Sequence, residues 1–180
     1  MTDTVITFTS LLALLANAAA LVLGVALIEG PLVPWAAGVL AYARRSALGV
    51  GALVASVATV GSLYFSESAG FIPCELCWYQ RILMYPLAVI LIVAAIRRDE
   101  RVRPYALALA LIGLPISVYH YLIEHFPSIA AEGACDLASP CTAPWFKEFG
   151  FITLAYMAGS AFLLIILLML ATMRSKEASE

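Results

Sequence analysis

The chain has 180 residues, 63% of them hydrophobic and 12% charged, with a formal net charge of −2 and a mean hydropathy of +0.97. A water-soluble domain carries about 25% charged residues, so a soluble globular class is excluded and the lipid bilayer is the expected surrounding. No basic patch interleaved with aromatics is present, which excludes a nucleic-acid partner.

Five segments are apolar over the roughly 20 residues that a membrane-spanning helix needs. In chain order they cover 5–28, 46–66, 79–96, 105–123 and 150–173. The first lacks a basic leader, opening Met1-Thr2-Asp3-Thr4. Its apolar run also exceeds that of a signal peptide, so a retained helix with its N-terminus outside is expected. Residues 32–43 are apolar but too short to span, and read as an interfacial or re-entrant piece. Trp78 and Tyr79 would anchor the short third span at the headgroups. Pro86 and Pro115 read as kinks that aid packing.

Basic residues predict the orientation. Arg44, Arg45, Arg97, Arg98, Arg101, Arg103, Arg174 and Lys176 fall on one side of the predicted spans, leaving only Arg81 and Lys147 on the other. The positive-inside rule makes the first side cytoplasmic. Both cysteine pairs, Cys74/Cys77 and Cys135/Cys141, then face outward, where disulfides form and persist.

Three chemistries suit four such cysteines. Structural bridges over such short loops would add little, since even a 15-residue loop is worth about 3 kcal/mol. A four-cysteine zinc site needs a better second half than Cys135-x5-Cys141. Redox exchange between the pairs fits best. Cys77 lies near the start of the third span with Arg81 one turn beyond, and both the helix dipole and that arginine favour a Cys77 thiolate. Trp145, Phe146 and Phe149 would rest the second loop on the membrane surface. Cys141, nine residues from the fifth span, can then reach Cys74 through a flexible segment of about 15–18 Å. Electrons gathered by the outer pair need an acceptor. With no haem, flavin or iron–sulfur motif in the sequence, the expected acceptor is a lipid-soluble quinone, menaquinone or ubiquinone. Arg81, His120, Glu124 and His125 are the available donors to its head.

These residues are familiar as a set. Ser62-Leu63-Tyr64-Phe65-Ser66-Glu67, followed by Phe71-Ile72-Pro73-Cys74-Glu75-Leu76-Cys77-Trp78-Tyr79-Gln80-Arg81-Ile82-Leu83-Met84-Tyr85-Pro86-Leu87, closely resembles the DsbB family of disulfide bond formation proteins, in its BdbC branch. The similarity continues through His120-Tyr121-Leu122, Cys135, Pro140-Cys141 and Gly150-Phe151-Ile152-Thr153, covering roughly residues 48–173.

The resemblance implies an all-α four-helix transmembrane bundle, here with one extra N-terminal helix to make five spans. The expected divisions are residues 1–47 (extra helix and interfacial segment), 48–174 (redox domain) and 175–180 (cytoplasmic tail). It further implies a quinone-dependent protein-disulfide oxidoreductase of the bacterial cytoplasmic membrane. A thioredoxin-like thiol oxidase of the DsbA or BdbD kind would deliver electrons for disulfide formation in exported proteins. Cys135 matches the cysteine that forms the mixed disulfide, Cys141 the one that exchanges with Cys74, Cys77 the one that contacts the quinone, and Arg81 the arginine beside its ring. His120 fits the BdbC-like pattern, whereas Glu124-His125 resembles a Glu-His pair near the quinone in other members. The second loop departs from the Gram-negative type in its short cysteine spacing. Proteins like vitamin K epoxide reductase, the nearest rival, place C-x-x-C after the loop pair rather than before it.

Overall fold

Within a bilayer, backbone groups must pair inside the segment that carries them, so long apolar runs become helices. The computed structural model describes residues 2–130 and 140–173. Among them, five helices are long and apolar enough to cross a membrane. They are α1 (Thr2–Glu29), α2 (Pro34–Leu63), α3 (Glu75–Arg97), α4 (Arg103–His125) and α5 (Leu154–Met173). Gly30, at φ 76°, ends α1, and Pro34 opens α2 at a position where no N–H is required. The fifth helix starts later than the apolar run because Phe149 and Gly150 adopt left-handed backbone, in a turn closed by the Glu148–Ile152 bridge.

Residues 32–43 depart from the expectation of a separate interfacial or re-entrant piece. Nearly all of them form the first part of α2, unbroken into the second span. The cause is a single buried seam: Ala36, Leu40, Ala43, Ala47, Gly51 and Ala55 follow helical spacing across the supposed boundary. Leu23, Ala26 and Leu27 of α1 belong to the same core as the start of this seam. The division placed between residues 47 and 48 therefore falls inside one helix. At its far end α2 finishes in a π-helical turn, Tyr64–Ser68.

Helices α2, α3, α4 and α5 pack in a ring, each on the next and α5 back on α2, and α1 lies outside against α5 and α2. This is a four-helix bundle with one added helix. Helix α5 is consequently the most enclosed, with Phe162, Ile165 and Met169 fully buried. The Phe162 ring occupies the space where a side chain at Gly113 would project, so glycine is required there for α4 and α5 to approach. Helix α1 is fastened by polar contacts: Asn17 Nδ2 donates to Tyr156 Oη (3.0 Å) and Ser160 Oγ (2.7 Å), and Thr7 Oγ1 donates to Glu148 Oε1 (2.8 Å).

The bundle has two chemically different ends. At one, Arg44, Arg45, Arg98 and Arg103 line a common cleft, with Arg103 paired to Glu100 at 2.7 Å. Arg174 and Lys176 lie outside the described residues. The other end carries Cys74, Cys77 and Cys141.

Candidate redox site

Pro73 keeps the chain extended before α3, and Cys74 occupies the N-cap. Its sulphur accepts the Cys77 backbone N–H at 3.4 Å, the role that a serine or aspartate oxygen plays at other caps. One turn on, Cys77 Sγ lies 3.1 Å from Cys74 Sγ, well beyond the ~2.05 Å of a disulfide, and both thiols are free. The Cys77 thiol donated to its sulphur, together with the His120 imidazole, lowers the Cys74 pKa to about 4 against the opposing effect of burial. This corrects the expectation of a Cys77 thiolate. Proximity to Arg81 in sequence is outweighed by direct hydrogen bonds, which gather on Cys74. The Arg81 guanidinium is turned aside, donating from Nη2 to Ser62 O (3.1 Å) and lying over the Trp78 ring at 5.4 Å.

His120, on α4, is buried beside Cys74, with Nε2 3.6 Å from the sulphur. Gln80 Nε2 lies 3.1 Å from His120 Nδ1. With the amide donating there, the ring proton of neutral His120 must sit on Nε2, facing Cys74. The same Nε2 is 3.6 Å from Glu124 Oε1. Thr153 donates to Glu124 Oε2 at 2.6 Å, and its hydroxyl accepts the Tyr156 N–H at 3.3 Å, capping α5. A continuous polar line thus joins the cap of α3 to the cap of α5 through one face of α4. Gln80 and Thr153 were not singled out by sequence reasoning. The available signals were a polar residue one turn after Cys77 and a threonine placed just before an apolar run.

Cys77 faces the other way. With Gln80, Arg81 and Tyr85 it borders a largely apolar cavity of about 370 Å³ walled by α1, α2, α3 and α5. Of the four predicted quinone donors, Arg81 alone lines this cavity. His120 and Glu124 lie on the Cys74 side, and His125 Nδ1 is bonded to Tyr121 O at 3.0 Å.

Cys141 is buried in one cluster with Cys74, Leu76 and Ile123, and is disulfide-bonded. Cys135 lies outside the described residues. Trp145 stacks on Phe71 (4.9 Å between ring centroids), and Phe146 packs on both Phe65 and Phe71. These contacts clamp the second loop onto the first and leave Trp145 and Phe149, two of the aromatics expected on the membrane surface, exposed. Three further donors, the sulphurs of Cys74 and Cys77 and a nitrogen of His120, lie within 4.8 Å of one another, a ligand set that zinc accepts. Among the described residues Cys141 does not join this set, being bonded in a disulfide.

The profile described as "Disulfide bond formation protein DsbB" matches residues 44–173. The chain belongs to the DsbB family. Among curated relatives it is 50% identical over 117 residues to "Disulfide bond formation protein C" of Bacillus subtilis (65% of this chain, 85% of the relative). It is 48% identical over 124 residues to "Probable disulfide formation protein" of Oceanobacillus iheyensis (68% and 85%). A "Probable disulfide formation protein" of Coxiella burnetii is 43% identical over 114 residues (63% and 78%). No solved structure gives a significant match.

DsbB-family membership, with five membrane-length helices, makes this a multi-pass membrane oxidoreductase of disulfide formation. The DsbB match begins within α2 and runs to the end of α5, so it takes in the four-helix ring and leaves α1 outside.

Proposed function

We propose that the chain reoxidises an extracytoplasmic thioredoxin-like thiol oxidase of the DsbA or BdbD kind and passes the electrons through its two cysteine pairs to a membrane quinone. One observation carries this reading: Cys74 packs with the loop cysteine Cys141, while Cys77, one turn on, borders the cavity headed by Gln80 and Arg81. The arginines at the opposite end support a bacterial cytoplasmic membrane location with both pairs outside.

A bound menaquinone or ubiquinone supplies an acceptor for two electrons and two protons. The cavity suits such a group, being apolar along its length, polar at one end, and within the usual ~300–1,000 Å³ of ligand pockets. Arg81 and Gln80 would hold the head, beside Cys77.

The exchange steps follow from the two faces. The partner's two thiols become its disulfide as the loop disulfide is reduced, transferring two electrons and two protons. Cys141 thiolate then attacks Cys74 of an oxidised Cys74–Cys77 pair. The Cys74–Cys141 bond forms, the Cys74–Cys77 bond breaks, and Cys77 is released toward the cavity. Cys135 next attacks Cys141, re-forming the loop disulfide and expelling Cys74. A leaving thiol departs faster when its pKa is low, and Cys74 is the sulphur held near 4. His120 and the Cys77 N–H receive that charge. The Cys74–Cys77 pair finally closes again as its two electrons and two protons pass to the quinone.

The test is a pair of variants in purified protein. Cys77→Ser is expected to abolish quinone reduction. Cys135→Ser is expected to abolish exchange with the partner oxidase while the Cys74–Cys77 pair stays oxidisable by quinone. A Cys77→Ser protein that reduces quinone at the wild-type rate would sink this electron order.

A further inference from the structure

We infer that α1, although outside the DsbB match, is part of the ligand site: its inward face holds the prenyl tail of the quinone and so selects for tailed quinones. This rests on the quinone reading above and extends it to residues that nothing in the family resemblance covers.

The cavity is a slot rather than a chamber. Cys77, Gln80, Arg81 and Ser62 lie at one end, and the remainder is lined mainly by apolar side chains, aliphatic and aromatic, with Thr9 and Ser160 among them. Along α1 the lining runs from Thr9 to Ala19, and along α2 from Ser62 back to Leu53. At 1.5 Å per residue each wall is about 15 Å deep. A small polar ring would fill only the head. A slot of this depth and polarity fits an amphiphile with a planar head and a long hydrocarbon tail.

Helix α1 supplies the fourth wall. Thr9, Leu12, Ala13, Ala16 and Ala19 line the slot at helical spacing, as one stripe of the helix. The width comes from the three alanines, because longer side chains there would occupy the slot. The wall is held in place by Asn17, bonded to Tyr156 and Ser160, and by Thr7, bonded to Glu148. Without α1, the ring of α2–α5 would leave the slot open to lipid along its length.

The experiment uses the full chain in nanodiscs. Menaquinone with its prenyl tail is compared with the same naphthoquinone ring bearing a methyl group in place of the tail. Two readouts are taken: oxidation of the reduced protein, and equilibrium binding by quenching of tryptophan fluorescence, Trp145 bordering the cavity. Ala16→Phe fills the slot, and Ala18→Phe, on the exposed face of α1, is its control. The expected result is at least a tenfold rise in half-saturation for the tailed quinone with Ala16→Phe. The tailless ring should stay within twofold of wild type, and Ala18→Phe should change neither. Equal behaviour of Ala16→Phe and wild type toward the tailed quinone overturns the role of α1. If Ala16→Phe also loses the tailless ring, Ala19→Leu decides by the same criterion. A wild-type protein that neither binds nor is oxidised by either quinone overturns the quinone reading itself, and this inference with it.

Discussion

His120 Nε2 stands 3.6 Å from Cys74 Sγ, with Gln80 holding the far side of the ring. The histidine therefore serves the sulphur that faces the loop cysteine, not the sulphur that faces the cavity. Thiolate stabilisation and contact with the cavity belong to different members of the pair.

The pH profile of Cys74 follows. Its pKa of about 4 lies below the ordinary thiol value, so the thiolate prevails above that pH and is lost as pH falls through it. In a reduced Cys135→Ser/Cys141→Ser background, the alkylation rate of Cys74 should be flat from about pH 5 to 8. An ordinary thiol of pKa ~8.5 would lose about tenfold per unit over most of that range. His120→Leu should raise the midpoint by about one to two units, from the ~1.5–3 kcal/mol of a charged hydrogen bond at 1.36 kcal/mol per unit. Mass spectrometry of peptide-resolved alkylation measures both.

Arg81 is oriented by Ser62 O and the Trp78 ring. Arg81→Gln should raise the quinone concentration for half-maximal oxidation by about tenfold, the loss of ~1.4 kcal/mol. Arg81→Lys should recover only part, since an ammonium group lacks the planar fork that bonds and stacks at once. Unchanged quinone dependence in Arg81→Gln would reduce the arginine to an anchor at the membrane edge.

Thr153 caps α5 and also donates to buried Glu124. Thr153→Val removes both bonds and should cost about 1–3 kcal/mol, combining a lost cap with a deprived buried carboxyl. Thr153→Ser, which keeps the hydroxyl, should restore most of it. Thermal unfolding in detergent would measure the difference, and equal midpoints for the valine and serine variants would refute the bonding role.

Gly113→Ala places a methyl group against the Phe162 ring. Overpacking of this kind costs about 1–3 kcal/mol. Phe162→Leu in the same background should return part of the loss, whereas independent, additive losses would show that the two residues do not share the space.

Much of this protein is legible in its sequence. Apolar run length alone predicts the five spans, because a bilayer leaves the backbone little choice but the helix. The Pro73-Cys74-Glu75-Leu76-Cys77 motif and its Arg81 mark the proposed redox pair, because local spacing along one turn brings those groups together. What local spacing cannot supply is which distant groups meet. Only packing places α4 so that His120 and Glu124 reach Cys74 rather than the cavity, and this moves the favoured charge from Cys77 to Cys74. Only packing lays α1 over the slot between α2 and α5, and joins residues 32–43 to the second span through a shared buried seam. Charge stabilisation and cavity shape depend on contacts between residues far apart in the chain, and those are decided by the tertiary structure.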